Sequence, residues 1–182
     1  SWDKPSCSLG YFQDIRSIAK NFDLTRRGVA VVKRMTGGGM VMHGRDLTFS
    51  LALKTPNFFL PRETKASYLK VNEALMAGFK KKFPGIDFAD CKNIPSARGR
   101  GERVCFDQPS CYDLLLEGKK IVGASQRRRD GVMLHQATIF LNEGKEALIL
   151  MMLDGFKNKW GAEFEIIPLA EDEIRRAKMK EK

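Results

Sequence analysis

The amino-acid sequence predicts an α+β fold, with mixed or antiparallel sheets and helices packed on them. Short runs in which apolar and polar residues alternate indicate strands, and turn residues separate these runs. Other stretches repeat apolar residues at helical spacing and end at capping or breaking residues. A chain of 182 residues with 43% apolar content can bury one core, so residues 1–182 are expected to form a single domain.

The first half of the chain alternates strands with two amphipathic helices. We predict strands at Ser8 to Phe12, Val29 to Arg34 and Leu47 to Leu53, and helices at Asp14 to Phe22 and Arg62 to Phe83. Asp14 suits the start of the first helix, and Pro84 with Gly85 ends the second. Two prolines make the aromatic stretch from Thr55 to Pro61 a predicted loop.

The second half begins with a basic, glycine-containing stretch, Ile94 to Arg103, which is predicted to be a mobile loop. A hairpin and a further strand follow, with these bounds: strand Tyr112 to Leu116, turn Glu117 to Lys119, strand Lys120 to Gln126, turn Arg127 to Gly131, and strand Val132 to Leu141. The last predicted elements are a helix from Glu146 to Trp160, a strand from Phe164 to Ile167 and a charged helix from Glu171 to Lys182.

Composition limits the cellular setting and the partners. The formal net charge of +10 favours an acidic partner, such as nucleic acid, an anionic membrane surface or an acidic protein. There is no signal-peptide pattern and no apolar run of about 18 residues, so we expect a soluble, cytoplasmic protein. The four cysteines lack metal-ligand spacing and are expected to be free thiols in a reducing compartment: Cys7, Cys91, Cys105 and Cys111.

Three consecutive glycines, Gly37 to Gly39, lie between two strand-like runs. Without Cβ atoms the backbone there can bring its N–H groups close to a ligand. Because no helix follows, a dinucleotide fingerprint and a Walker loop are both disfavoured. A tight hairpin without a ligand remains the alternative interpretation.

Cys105 is a candidate nucleophile, since it follows a loop that contains Arg98, Arg100 and Arg103. An electropositive neighbourhood favours the thiolate. The alternative is that Cys105 is a small apolar residue at a strand edge. Cys111 is expected to belong to the core.

Other polar residues could take part in catalysis. Lys120 precedes two apolar strand positions and could donate to a carbonyl oxygen or an oxyanion, whereas Lys119 fits an exposed turn. His43 could act as a base, a hydrogen-bond donor or a polar strand cap, and His135 is a weaker candidate of the same kind.

Three motifs, in order along the chain, resemble the lipoate-protein ligase and lipoyl (octanoyl) transferase superfamily, whose fold biotin-protein ligase catalytic domains share. The first motif runs from Lys33 to His43 and continues through Asp46 to Ser50. The second, Cys105 to Tyr112, resembles the cysteine-dependent octanoyltransferase branch, as does the opening Cys7 to Gln13. The third, Gly118 to Gln126, is similar to the superfamily's lysine motif.

The sequence departs from the family pattern in a few places. Lys33 and Met35 replace an arginine and a proline, and Gln136 to Thr138 replaces a His-Gly-Ser/Thr segment. The family pattern also has a strand and a helix ahead of this start and a longer helical segment between about Asn142 and Phe156. Residues 1–182 lack these segments, either because the protein is pared down or because the sequence omits them.

The resemblance implies an octanoyltransferase of lipoate biosynthesis. Cys105 would attack the thioester of octanoyl-acyl carrier protein and pass the octanoyl group to a lysine of a lipoyl domain or of the glycine cleavage H protein. Lys120 is the second implied catalytic residue, and neither a metal nor a cofactor is implied. A slot lined by Met40, Met42 and Val122 would take the acyl chain. The implied substrate-binding residues are Arg34, Thr36, Gly37, Gly38, Gly39, His43, Gly123 and Ser125.

Three other functions stay open. An ATP-dependent lipoate-protein ligase of the same fold would need ATP and magnesium but not Cys105. A transamidase that moves octanoyl groups between lipoyl domains also uses a cysteine, and Ser125 to Arg128 resembles that branch. A nucleic-acid-binding module has the charge but lacks an interleaved aromatic platform and a known binding motif. It would use Arg98, Arg100, Arg103 and Arg127 to Arg129.

Overall fold

The structure is a computed structural model, and it describes residues 2, 4–24, 26–92 and 109–179. The helices are α1 (Ile15–Asn21), α2 (Thr64–Phe79), α3 (Lys145–Trp160) and α4 (Glu171–Met179). The strands are β1 (Ser6–Leu9), β2 (Ala30–Lys33), β3 (Val41–His43), β4 (Leu47–Lys54), β5 (Ile86–Phe88), β6 (Leu114–Leu116), β7 (Lys119–Lys120), β8 (Val122–Arg129) and β9 (Val132–Ile139). The predicted α+β class is confirmed.

Within the described residues, the strands form three sheets of three strands each. In the first sheet, β1 is the central strand, parallel to β2 and antiparallel to β3. The second sheet is antiparallel in the order β4-β9-β8, and the third is antiparallel in the order β5-β6-β7. Because β1 lies between β2 and β3, the glycine segment connects two strands that flank a third. The tight-hairpin interpretation of that segment is therefore wrong.

Local sequence explains where the first two helices begin. The Asp14 carboxylate accepts hydrogen bonds from the backbone N–H groups of Arg16 and Ser17, which α1 would otherwise leave unpaired. Glu63 caps α2 in the same way, so that helix begins at Thr64 and not at Arg62. The prediction was also too long at the other end, since α2 ends at Phe79 and residues 80–82 form a turn.

The two long helices pack together closely enough to require glycines at their contact. A Cβ atom at Gly78 of α2 would overlap the carbonyl oxygen of Met151, and one at Gly155 of α3 would overlap that of Ala74. This pair of helices supplies much of the main hydrophobic core, which includes Phe79 and Phe156. A smaller core lies between β1 and α1, with Cys7, Leu9, Ile18, Leu24 and Met40. Among the described residues, every helix is too short or too polar to cross a bilayer.

Several predicted elements need correction. The predicted strand from Phe164 to Ile167 is wrong, since residues 161–170 are irregular and Ile166 is 83% exposed. Alternation alone does not make a strand when no partner strand is adjacent. The first strand ends at Leu9, so Gly10 to Phe12 form the following turn, and β5 was missed. The last helix ends at Met179 among the described residues.

The expectation of four free thiols is wrong for two of them. Cys91 and Cys111 form a disulfide, and Cys111 is half-buried instead of lying in the core. The chain segments that carry them run side by side, since Ala89 N–H donates to the carbonyl oxygen of Asp113 at 2.8 Å. Cys7 is a free, fully buried thiol. Cys105 and the predicted loop from Ile94 to Arg103 lie outside the described residues.

Candidate functional site

A cavity of about 220 Å³ lies between the first sheet and the β8–β9 hairpin of the second. Its walls combine apolar side chains with a small number of polar groups, as ligand sites commonly do. The lining residues are Trp2, Ser8, Val32, Arg34, Val41, His43, Thr48, Gly123, Ala124, Ser125, Gln136, Ala137 and Thr138.

Arg34, directly after β2, organises the glycine segment. Its Nη2 donates to the carbonyl oxygens of Gly37 at 2.8 Å and Gly39 at 2.6 Å, while Nη1 donates to the carbonyl oxygen of Ser8 at 3.0 Å. Gly38 has φ +88°, a value that strongly favours glycine. Gly10 is needed as well, because a Cβ atom there would overlap the Gly38 carbonyl group. The segment is thus folded against β1 and around the guanidinium group.

Thr36 ties this segment to the second sheet. The Ser125 hydroxyl group donates to Thr36 Oγ1 at 2.6 Å, and the Thr36 hydroxyl group donates to Gln136 Oε1 at 2.9 Å. Thr36 is fully buried. These bonds fix the spacing of the two sheets on either side of the cavity.

Ser8, His43 and Asp46 form a buried hydrogen-bonded chain at the cavity wall. Ser8 Oγ lies 2.7 Å from His43 Nε2, and His43 Nδ1 lies 2.8 Å from Asp46 Oδ2. Burial acts to raise the pKa of Asp46, but hydrogen bonds from His43, the Gly44 N–H and Thr48 hold that pKa below its ordinary value. Asp46 is therefore ionised at neutral pH.

Lys120 and Asp113 form a separate buried ion pair. Lys120 Nζ lies 2.7 Å from Asp113 Oδ2, and the two side chains are 5% and 11% exposed. Burial raises the pKa of the Asp113 carboxyl group, an effect that the nearby Lys120 ammonium opposes. The Ser110 backbone N–H also donates to Asp113.

Comparison with known proteins identifies the family. The sequence profile of the lipoyl protein ligase A/B catalytic domain matches residues 2–162. The chain belongs to this family. The superfamily predicted from the three motifs is thereby confirmed.

The curated relatives of this lipoyl ligase-family domain include octanoyltransferases. Octanoyltransferase LipM of Kyrpidia tusciae is 35% identical over 157 residues, which are 83% of this chain and 56% of the relative. Octanoyltransferase LipM of Bacillus subtilis is 31% identical over 193 residues, which are 97% of this chain and 69% of the relative. The chain spans about half the length of several of the curated relatives that it matches.

Solved structures confirm the fold of the lipoyl ligase-family domain. Lipoate-protein ligase A bound with ATP superposes with a TM-score of 0.71 at 19% identity, over 97% of this chain and 77% of that one. A bipartite lipoate protein ligase from Thermoplasma acidophilum superposes with a TM-score of 0.65 at 19% identity, over 97% and 75% of the two chains.

The structure brings four of the predicted substrate-binding residues of the lipoyl ligase-family domain together at the cavity: Arg34, His43, Gly123 and Ser125. The remaining predicted residues contact two of these four. Thr36 accepts a hydrogen bond from Ser125, and the segment from Gly37 to Gly39 accepts hydrogen bonds from Arg34. Their roles toward a substrate stay predictions. Cys105 lies outside the described residues, and Lys120 is absent from the described cavity lining, held instead by Asp113.

None of the three side chains predicted to line an acyl slot, Met40, Met42 and Val122, lines the cavity. Met40 is buried in the small core and Val122 in the main core, while Met42 packs against the small core. The apolar cavity wall is instead formed by Trp2, Val32, Val41, Ala124 and Ala137.

Sequence reasoning also missed Ser8, Asp46 and Trp2. The ring of Trp2 stacks on His43 with centroids 4.1 Å apart, and its Nε1 donates to Thr48 Oγ1 at 3.0 Å. The available signal was that Ser8 and Asp46 lie within motifs that resemble the family, Cys7 to Gln13 and Asp46 to Ser50.

His135 does not belong to the cavity lining, although its neighbour Gln136 does. Successive strand residues point to opposite sides of a sheet, and His135 lies fully buried against Tyr68 of α2. Burial lowers the pKa of His135 to about 4, so its imidazole is neutral. The weaker prediction of a catalytic role for His135 finds no support in this placement.

Proposed function

We propose that the protein transfers an octanoyl group from octanoyl-acyl carrier protein to a lysine of a lipoyl domain or of the glycine cleavage H protein. The proposal rests chiefly on one observation: two of the three family motifs contribute residues to a single cavity of about 220 Å³. Relatives named octanoyltransferase support the same chemistry.

The reaction proceeds through a thioester on Cys105. The cysteine attacks the carbonyl carbon of the donor thioester, and the acceptor lysine then attacks the acyl-enzyme. A thioester is already an activated acyl donor, so the transfer needs neither ATP nor magnesium. An ATP-dependent ligase would differ here, because it must first make an acyl-adenylate.

The cavity provides an apolar place for the acyl chain next to polar groups for its carbonyl end. Val32, Val41 and Ala124 line the apolar part, while Arg34 and Ser125 supply hydrogen-bonding groups. Burying the chain contributes about 0.8 kcal/mol for each methylene.

Lys120, which does not line the described cavity, is included in the proposal as a donor toward the developing negative charge. Its ion pair with Asp113 holds the ammonium group in one position. A positioned cation loses little orientational freedom as the charge develops, which is what makes such a donor effective.

The basic surface favours the acidic carrier and acceptor domains. A net charge of +10 attracts them over distances of about a Debye length and raises the association rate. Added salt should therefore slow the reaction.

The test mixes the protein with octanoyl-acyl carrier protein and an apo lipoyl domain, in the presence of a chelator and without nucleotide. Mass spectrometry is expected to show octanoylated lipoyl domain and a transient octanoyl adduct on Cys105. Cys105→Ala should abolish both signals. Cys7→Ala serves as the matched control, since Cys7 is buried in the small core, and it should retain transfer.

Two results would contradict the proposal. Full transfer by Cys105→Ala would rule out the covalent mechanism. Modification of the acceptor only when free acid, ATP and magnesium are supplied would instead identify an ATP-dependent ligase.

A further inference from the structure

The chain of hydrogen bonds through Ser8, His43 and Asp46 has a definite direction. The ionised Asp46 can only accept, so the proton between Asp46 and His43 lies on His43 Nδ1. In the neutral imidazole, His43 Nε2 is then the acceptor for the Ser8 hydroxyl group, 2.7 Å away. This assignment follows from the network, since the two other groups that bind Asp46, the Gly44 N–H and the Thr48 hydroxyl, are also donors.

Arg34 polarises the other end of the chain. Its Nη1 donates to Ser8 Oγ at 3.2 Å, so the oxygen accepts from a cation while its hydrogen is directed to His43. A nearby positive charge stabilises the negative charge that the oxygen acquires when its proton leaves. Ser8 and His43 both line the cavity, so the chain ends where a substrate would lie.

The other contacts keep the imidazole in place. Trp2 stacks on the ring of His43, and the side chains of His43 and Asp46 are 2% and 0% exposed. A histidine fixed between a hydroxyl group and a carboxylate is the arrangement that moves protons in acyl-transfer enzymes of unrelated folds. Here the hydroxyl group lies within a central strand, which suits a relay better than an exposed nucleophile.

We propose that Ser8 and His43 relay the proton that the acceptor amine must lose during acyl transfer, with Asp46 as the positioning residue. This inference rests on the proposed function. It adds a proton acceptor for the second half of the reaction, in which a neutral amine attacks a thioester.

The atoms balance as follows. The amine nitrogen forms a bond to the thioester carbonyl carbon, and the carbon–sulfur bond breaks to release a thiolate. The nitrogen gives one proton to Ser8 Oγ as the Ser8 proton moves to His43 Nε2, which makes an imidazolium paired with Asp46. The imidazolium then returns a proton to the thiolate, through the same hydroxyl group or water. The products are an amide and a thiol, and the relay is restored.

The experiment compares two acceptors, a lipoyl-domain lysine and hydroxylamine, with octanoyl-acyl carrier protein as the donor. Hydroxylamine is unprotonated at neutral pH and attacks thioesters without help from a base. Loss of a relay residue should therefore lower the rate of transfer to the lysine acceptor and leave the rate of transfer to hydroxylamine unchanged. Ser8→Ala is expected to slow transfer to lysine by about 10²-fold or more, as loss of general-base catalysis does, and to leave formation of the hydroxamate unchanged.

Two further variants sharpen the comparison. Asp46→Asn keeps the size of the side chain but can present an N–H group to His43 Nδ1, which would place the imidazole proton on Nε2. Asp46→Asn should therefore also slow transfer to lysine and leave formation of the hydroxamate unchanged. Ser6→Ala is the matched control, because Ser6 is on the same strand and equally buried but donates to the Lys4 carbonyl oxygen. Both rates should stay at the wild-type level in this variant.

The outcomes separate the relay from the proposed function. If Ser8→Ala and Asp46→Asn lose both reactions equally, the chain is structural and the relay is wrong. If both variants transfer to lysine at the wild-type rate, the relay is also wrong, while the proposed function stands. If the wild-type protein acylates hydroxylamine but never lysine, the relay and the choice of acceptor both fail.

Discussion

The neutral, buried His135 predicts a specific loss of stability in mild acid. Its side chain is fully buried between aromatic rings, with centroids 6.1 Å from Phe49 and 5.5 Å from Tyr68. Nδ1 lies 3.0 Å from Gln126 Nε2, and Nε2 has no hydrogen-bond partner among the described residues. A proton on this ring would place an uncompensated charge in the core.

The size of the effect follows from the pKa difference. Burial lowers the pKa of His135 from 6.5 to about 4, so between those pH values the unfolded chain binds a proton that the folded chain does not. Stability therefore rises with pH across this window and falls on acidification. At 1.36 kcal/mol per pKa unit, the full difference is about 3 kcal/mol, of which about 2 kcal/mol should be lost between pH 7.5 and pH 5.

Urea unfolding followed by circular dichroism at pH 7.5 and pH 5 measures this difference. Other groups titrate in the same range, so wild type is compared with His135→Phe, whose ring suits the aromatic surroundings. The variant should lose about 2 kcal/mol less than wild type over this pH interval. If the two proteins show the same pH dependence, His135 is either exposed to water or paired with a group that compensates its charge, and the reasoning is refuted.

Two further predictions concern the site and its support. Lys120→Ala should raise the activation free energy of acyl transfer by about 2.7–4 kcal/mol, as loss of an oxyanion donor does, while the exposed Lys119→Ala should be nearly silent. Equal rates for these two variants would indicate bulk charge instead of a positioned donor. Gly10→Ala should lower the free energy of unfolding by about 1–3 kcal/mol, because its Cβ atom would overlap the Gly38 carbonyl group, whereas Gly44→Ala meets no atom within 4 Å. Urea denaturation tests this pair, and equal stabilities would show that the glycine segment can move away from β1.

The regular elements could be predicted because their signals are local. The periodicity of Val71, Leu75 and Phe79 identified α2, and the turn at Gly118 identified the β6–β7 hairpin. Both depend on residues close together in the chain. The strand predicted at Phe164 had the same local signal, but no strand of the described part of the chain pairs with it.

The site could be predicted only where its residues belong to compact motifs. Arg34, His43 and Ser125 each lie within one, and all three line the cavity. Ser8 also lies in a motif, Cys7 to Gln13, but it was missed because its contact with His43 depends on sheet order, with β1 inserted between β2 and β3. The Cys91–Cys111 disulfide was missed for a similar reason, since its partners are brought together by segments on either side of a long connection. Neither pairing leaves a trace in local sequence.

The bonds that join the glycine segment to the second sheet also bear on how the protein folds. Ser125 and Thr36 are 89 positions apart in the chain, and Thr36 and Gln136 are 100 apart. Contacts between such distant residues form slowly, because a large loop must close before any interaction rewards it. The cavity depends on such contacts, because its lining runs from Ser8 of β1 to Thr138 of β9. The ability to bind a ligand therefore arises only after the two halves of the chain have met.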